Sequence, residues 1–397
     1  MELLLPDKWV EIDLDAIEKN LLTVKSLLAE ETRLIAVIKA NAYGHGAVET
    51  ARILMQNGVD DFAVSFFHEA MQLRRAGIRS RILVFSPIVM EQALQEAIEQ
   101  GLTPTIASPY DWQMLDQIST ASNMEINVHL KVDTGLGRFG LREAEVLTLI
   151  PEIKKNTRIH IEGIYTHMAA AASNPAYTRK QFSSFMQTLR LLAEAGVEIP
   201  IRHCANSAVL LTYPQMQLDA VRIGTLLSGQ VPVGTFKAGL VLEDPYKFKT
   251  HIIAIRNLDK GSYLGYYRSY RLKKSARVAV IPVGFNDGLA LQVANKPSGW
   301  LDLLKTIVKT VLLYLNVARF GQQVIIKGIK YPVRGKVFMQ MALIEIPLEQ
   351  EVKIGEEVEV PVCKTLVSPN IKRIYRKHGK VVNFSTKEGE MDSLGEL

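Results

Sequence analysis

A lysine closes the apolar run Leu34-Ile35-Ala36-Val37-Ile38-Lys39 and opens a loop of small residues, Ala40-Asn41-Ala42-Tyr43-Gly44-His45-Gly46. An ammonium at the end of an apolar strand is costly to bury, and desolvation lowers its pKa. The free amine is then the nucleophile that Schiff-base chemistry requires. Tyr43 adds a hydroxyl nearby, and the glycines let the backbone approach a ligand. Other chemistry-bearing residues follow short β-prone runs: His167 after Gly163-Ile164-Tyr165-Thr166, Asn206 and Ser207 after His203, and Arg222 in Val221-Arg222-Ile223-Gly224. Arg138 stands in the glycine-rich string Val132-Asp133-Thr134-Gly135-Leu136-Gly137-Arg138-Phe139-Gly140. Each of these alone also has a plain reading: a snorkelling surface lysine, a structural histidine, a salt-bridging arginine.

Taken together and in order, the strings resemble the alanine racemase family over nearly the whole chain. The eleven residues from Ala36 to Gly46 are similar to that family's cofactor-lysine motif. The resemblance implies pyridoxal 5'-phosphate carried by Lys39 as a Schiff base, with Tyr43 among the cofactor's neighbours. It implies that Arg138 contacts the cofactor's phenolic oxygen and the substrate side, and that His167 is the family's active-site histidine. Asn206 and Ser207 are expected near the cofactor, with the serine hydroxyl reaching its phosphate. Arg222 is expected to face the pyridine nitrogen, while the backbone at Ile223 and Gly224 and the hydroxyl of Tyr375 hold phosphate. A permanent guanidinium charge beside that nitrogen disfavours its protonation, which makes the cofactor a weaker electron sink and limits side reactions. No metal is expected.

Racemisation takes a proton from one face of Cα and returns one to the other, so two bases are expected. By the same resemblance, Lys39 is one and a tyrosine lent by a second subunit is the other. The spacing in Ser262-Tyr263-Leu264-Gly265-Tyr266-Tyr267-Arg268-Ser269-Tyr270 selects Tyr266, with Tyr263, Tyr267 and Tyr270 as close competitors. A site shared in this way implies an isologous homodimer. The expected reaction interconverts L-alanine and D-alanine, supplying D-alanine for bacterial cell wall.

Three places depart from the family pattern. Phe285, in Pro282-Val283-Gly284-Phe285-Asn286-Asp287-Gly288, replaces a usual tyrosine. In Gly335-Lys336-Val337-Phe338-Met339-Gln340, Met339 is retained as a substrate-side residue, but Phe338 and Gln340 replace a cysteine and an aspartate. Between these two motifs lies an apolar stretch, Leu301 to Val317, that reads as an insertion. The departures support two rival readings: a racemase for another small amino acid such as serine, and a cofactor-binding paralogue with little turnover.

The elements that position these residues show in the texture of the chain. From Trp9 to Gly229, β-prone runs such as Asp61-Phe62-Ala63-Val64, Arg81-Ile82-Leu83-Val84 and Asn127-Val128-His129-Leu130-Lys131 alternate with amphipathic helical stretches such as Asp13 to Glu30 and Ala47 to Asn57. Continuous apolar strands alternating with helices imply a parallel sheet covered by helices, and seven or eight such units favour a closed (β/α)8 barrel, a TIM-type α/β fold. In that fold the chemistry sits at the C-terminal ends of the strands. After Pro245 the segments are short, β-prone and punctuated by glycine and proline. The division expected is a barrel over 9–240 and a mostly β domain over 245–397, which a strand within 1–8 could join. The stretch 301–317 is interrupted by Lys305 and Lys309 and is short for a membrane span. It reads first as an amphipathic helix packed on its domain or on a partner subunit, and second as a surface or membrane contact.

With 397 residues, 48% of them hydrophobic, the chain can bury a large core. Its net charge of +6 is modest, and no basic–aromatic module points to nucleic acid. Two cysteines offer neither a disulfide framework nor metal-ligand spacing. The first eight residues lack the pattern of a secretory signal. A cytoplasmic enzyme is expected.

Overall fold

The computed structural model describes residues 6–122, 124–235, 237–291, 297, 299–315, 321–387 and 390–391. Most of the N-terminal stretch read for a signal pattern, and residues 316–317 of the apolar insertion, lie outside the described residues. The chain divides into two compact units: Leu14–Pro245, and a second formed by the chain up to Asp13 with the chain from Tyr246 onward.

In the first unit, eight parallel strands among the described residues form a nearly closed barrel. In chain order they are Arg33–Val37, Asp61–Val64, Arg81–Val84, Thr103–Ile106, Ile126–Lys131, Ile159–Tyr165, Ile201–His203 and Ala220–Ile223. The last pairs back onto the first, Ala220 beside Arg33 and Ile223 beside Ala36. A single bridge, Ala205 to Val221, links it to the seventh. The strands are almost continuously buried, because their outward side chains meet helices and their inward ones fill the barrel. Ile35, Val37, Ala63, Leu83, Tyr165, Ile201 and Ala220 form one such interior cluster. The helix Phe67–Arg75 is tied to the loops beneath it by Arg74, whose guanidinium donates to the carbonyls of Ile78, Ser80, Gln100 and Gly101 at 2.7–3.0 Å.

The second unit is built on an eleven-stranded sheet among the described residues. Lys8–Asp13 lies inside it, antiparallel to Tyr246–His251 and parallel to Arg373–Lys377. The residues Trp9, Val10 and Ile12 of that strand are fully buried. Glu11 is its polar hub: the carboxylate accepts from Trp9 Nε1 at 3.1 Å, pairs with Lys249 at 3.0 Å, and takes Arg376 Nη2 at 3.2 Å.

The apolar insertion does form a helix, Trp300–Tyr314, but none of its residues is buried. The expectation was packing on its domain or on a partner subunit; of the helix, Leu313 alone lines the adjoining groove of its own domain. No helix among the described residues is long and apolar enough to cross a membrane.

Candidate active site

The first barrel strand ends at Val37, and Lys39 begins a short turn in which Ala40, Asn41, Ala42 and Tyr43 have φ of 50°, 53°, 51° and 56°. Side chains rarely adopt this left-handed region, and each residue held there costs on the order of 1–3 kcal/mol. The surroundings therefore have to enforce it. The Ala40 amide donates to Glu69 Oε1 at 2.5 Å, the Ala47 amide to Asn41 Oδ1 at 2.7 Å, and the Gly46 amide to the Asn41 carbonyl at 2.9 Å. Glu69 also accepts from the amides of Ser65 and Phe66, so one carboxylate staples two strand-end loops together. Strain concentrated at one loop is a feature of functional sites.

That loop forms one wall of a cavity of about 350 Å³ at the C-terminal ends of the barrel strands. Lys39, Tyr43, Arg138, His167, Asn206, Ser207, Arg222 and Gly224 all line it, as do Phe85, Tyr165 and Lys131. Eight of the expected site residues are thus brought together from across the barrel. Ile223 sits between Arg222 and Gly224 with its side chain in the core. Four basic side chains (Lys39, Lys131, Arg138 and Arg222) line the cavity, and among the described residues no carboxylate does.

The electrostatics follow from that composition. Burial, then the charge of Arg138, presses the Lys39 ammonium below the usual lysine range, against a smaller opposing pull from Glu69. Lys131 is pushed to about 7 by burial and the neighbouring Arg138 and Arg222, with its Nζ 3.6 Å above the Phe139 ring. Burial and the surrounding arginines and lysines drop His167 to about 3, so its ring is neutral at neutral pH. Burial raises Tyr43 to about 12, so its hydroxyl keeps its proton and can donate.

Arg222 is held from behind. Its Nη1 donates to His203 Nδ1 at 2.9 Å and to the His203 carbonyl at 3.0 Å, and its Nη2 donates to the Thr166 carbonyl at 2.7 Å. An arginine cannot accept, so His203 must receive at Nδ1 and carry its proton on Nε2. That nitrogen lies 2.9 Å from His129 Nδ1, which in turn places the His129 proton on Nε2, facing Glu162 Oε2 at 3.8 Å. A directed chain of buried groups therefore fixes the guanidinium without a carboxylate touching it.

The glycine-rich string around Arg138 is a frame, not a phosphate loop. Asp133 Oδ1 accepts from the amides of Gly135, Leu136 and Gly137 at 2.8–3.2 Å. At Gly135, φ is 128° and a Cβ would lie 3.1 Å from Tyr177 Cζ, so a side chain is excluded there. The frame presents Arg138 over the Phe139 ring at 4.8 Å. Asn206 likewise is partly structural: its Oδ1 caps the helix Ser207–Thr212 by accepting from the Val209 amide at 3.0 Å. At Gly224, a Cβ would come within 2.7 Å of Tyr43 Cζ and closer still to its hydroxyl. The tyrosine thus lies against bare backbone, a cradle that any side chain would fill.

Lys131 is the lining residue the sequence reading passed over. The signal was there, because Val128-His129-Leu130-Lys131 ends an apolar strand with a lysine just as Leu34 to Lys39 does. The buried pair His129 and His203 left no such trace.

The remaining expected residues lie in the second unit. Tyr266 is exposed and meets Phe338 edge-on, ring centroids 5.0 Å apart. Tyr263 lies beneath Arg268 and Arg271, and Tyr267 beneath Lys336. Tyr270 differs from the others: it is buried, donates to Glu345 Oε2 at 2.9 Å and is raised to about 12, chiefly by burial. The two altered motifs are bonded to each other, Phe285 N to Phe338 O and Asn286 N to Met339 O, each at 3.0 Å. Asp287 ties this turn to Lys8 by an ion pair of 2.7 Å. Met339 is exposed, whereas Tyr375 is buried in the strand Arg373–Lys377, opposite Ile12.

Residues 12–232 match the family model for the alanine racemase N-terminal domain, and residues 246–380 match that for its C-terminal domain. The chain is 34% identical to an alanine racemase of Clostridium tetani over 355 residues, which cover 88% of this chain and 84% of that one. It is 36% identical to alanine racemase 1 of Oceanobacillus iheyensis over 293 residues, 73% of this chain and 77% of that one. Among solved structures, alanine racemase of Clostridium difficile superposes with a TM-score of 0.84 at 28% identity, covering 96% of this chain and 99% of that one. That of Bacillus anthracis with bound L-Ala-P gives a TM-score of 0.81 at 28% identity, covering 96% and 98%. With both domain models matched in order along a barrel and a β unit, the chain belongs to the alanine racemase family, a family of isomerases that depend on pyridoxal phosphate.

Proposed function

We propose that this chain is a pyridoxal-phosphate-dependent alanine racemase. The observation that carries the reading is Lys39, lowered in pKa, in a cavity with three further basic side chains and, among the described residues, no carboxylate. Such a lining suits a ligand with several negative charges and one electrophile, which is the chemistry of a phosphorylated aldehyde together with an amino-acid carboxylate. The bare backbone at Gly224 beside the Tyr43 hydroxyl adds donors of the kind that hold a phosphate.

Tyr43, Ser207 and the backbone at Ile223 and Gly224 would hold the phosphate, with Tyr375 completing the set. When bound, the cofactor supplies an aldehyde for Lys39 and a conjugated ring that acidifies the substrate Cα–H. Arg222 keeps a fixed positive charge at the ring nitrogen and so opposes its protonation. Arg138 would neutralise negative charge on the substrate side, a side to which the family resemblance also assigns Met339. Neutral His167 can accept or pass a hydrogen bond without adding charge to a cavity already lined by four basic side chains. Lys39 moves the proton on one face of Cα, and Tyr266 of a second subunit moves it on the other, which makes the working unit an isologous homodimer. We place the enzyme in the cytoplasm, supplying D-alanine for cell wall.

A second reading concerns the substrate. Phe338 stands against Tyr266, and Gln340 occupies the place of a carboxylate, so a small amino acid other than alanine, such as serine, could be preferred. One experiment separates the readings: purified enzyme with L-alanine, L-serine and other small amino acids in deuterated buffer, followed by chiral analysis and mass spectrometry. Alanine should lead, gaining deuterium as D-alanine appears. A serine lead would move the assignment to the second reading, and no exchange with any amino acid would remove racemisation, leaving a binding paralogue.

A further inference from the structure

The helix Trp300–Tyr314 takes no part in the proposed chemistry, and it presents its apolar side chains to solvent. Trp300, Leu303, Leu304, Ile307, Val308 and Val311 are between 48% and 73% exposed. A contiguous apolar patch of this kind marks an interaction site. At about 100° per residue, those side chains fall on one half of the helix, while Asp302, Lys305 and Lys309 cluster within roughly 60° on the opposite side. The two threonines on the flank need no water, since Thr306 Oγ1 donates to the Asp302 carbonyl at 2.9 Å and Thr310 Oγ1 to the Thr306 carbonyl at 2.8 Å.

We infer that this helix is a docking element for an anionic lipid surface, lying in the plane of the interface with its apolar half immersed and its lysines among the phosphate headgroups. The width of the apolar half favours lipid over a partner helix. A coiled-coil seam takes two positions in seven, whereas this face is apolar around about half its circumference. The charge agrees: the polar stripe carries two lysines and one aspartate, the cationic pattern of in-plane helices on acidic lipid. The length agrees too, for 15 residues can lie in an interface but cannot span one. The chemistry of the barrel does not enter this inference, which stands whether or not the chain racemises alanine.

The protein supplies its own reporter. Of its three tryptophans, Trp9 and Trp112 are buried and Trp300 is 73% exposed. The test uses the whole protein with vesicles of phosphatidylcholine mixed with phosphatidylglycerol, read by co-sedimentation and tryptophan fluorescence. The protein should pellet with these vesicles, its emission should shift to the blue, and probes on the acyl chains should quench it. Vesicles of phosphatidylcholine alone should bind far less. Lys305→Gln with Lys309→Gln should weaken binding to acidic vesicles roughly 30-fold, at about fivefold per lysine near a charged surface. Ile307→Ser with Val311→Ser should abolish the blue shift, and because both side chains are exposed the domain should still fold, checked by an unchanged circular-dichroism spectrum and denaturant midpoint in vesicle-free solution. Protein that stays in the supernatant with acidic vesicles overturns the inference. So does a Trp300 signal blind to vesicles in a protein whose sedimenting mass falls on Ile307→Ser with Val311→Ser, because the face would then cover a second copy of the chain.

Discussion

Changing Gly224 to alanine tests the cofactor cradle with a single methyl group. The added Cβ would lie within 2.7 Å of Tyr43 Cε2 and Cζ and closer still to the hydroxyl, so the ring must move. The backbone of Tyr43 cannot absorb the shift cheaply, because it ends a run of four left-handed residues pinned by Glu69 and Asn41. The side chain therefore swings away from the phosphate it is proposed to hold. One hydrogen bond to a charged group is worth about 1.5–3 kcal/mol, or roughly 10- to 150-fold in affinity. The assay strips the cofactor with hydroxylamine and titrates pyridoxal phosphate back by absorbance and fluorescence. Tyr43→Phe should fall in the same range, since it deletes the same hydroxyl. The double variant should lie within about 0.5 kcal/mol of Gly224→Ala alone, because both changes remove one interaction. Wild-type affinity for Gly224→Ala, or full additivity in the double variant, would refute the cradle.

Three further predictions follow from the geometry. Tyr270 donates to Glu345 and keeps its proton to about 12, so Tyr270→Phe should leave racemisation intact and cost about 1 kcal/mol of stability in denaturant melts; Tyr266→Phe should slow racemisation about 10²-fold or more, yet leave Cα exchange on the face served by Lys39. Burial raises the Glu11 carboxyl, but hydrogen bonds from Lys249 and Trp9 outweigh it and hold the group below its ordinary 4.5. Its contribution to stability is therefore present above about 4.5 and lost as pH falls through the lowered folded value. Glu11→Gln should accordingly unfold at lower denaturant than wild type near neutrality, with the gap closing in acid, and a gap constant with pH would count against the assignment. Arg74→Met strips four carbonyls of their donor, that of Ile78 buried and the other three partly buried, and should cost about 3 kcal/mol, measured by urea unfolding, with the affinity for cofactor unchanged in the folded fraction.

The barrel was legible because its strands are buried on both sides and so read as unbroken apolar runs, and because each run ends where chemistry is placed. Lys39, His167, Asn206, Ser207 and Arg222 were all found at such ends, and the cavity gathers them. Lys131 carries the same signal, a lysine closing an apolar strand, and lines the same cavity. The relay from Glu162 through His129 and His203 to Arg222 was invisible for a physical reason: it joins four strands that meet only when the barrel closes. The strand expected within 1–8 as an addition to the second domain lies at Lys8–Asp13, and its pairing with Tyr246–His251 and Arg373–Lys377 spans the whole chain. The apolar stretch at 301–317 announced a helix, which runs over Trp300–Tyr314, and of the two coverings expected for it, its own domain or a partner subunit, its own domain leaves none of its residues buried. Periodicity tells which face is apolar but not what covers it.

The central claim is that the Lys39 amine joins covalently to an aldehyde cofactor. Borohydride reduction of the holoenzyme, followed by proteolysis and mass spectrometry, tests it most directly. The account expects one pyridoxyl-modified peptide containing Lys39 and no labelled peptide in Lys39→Ala. Label on Lys131 or on any other lysine, or an unmodified Lys39 in an enzyme that still exchanges the alanine Cα proton, would contradict it.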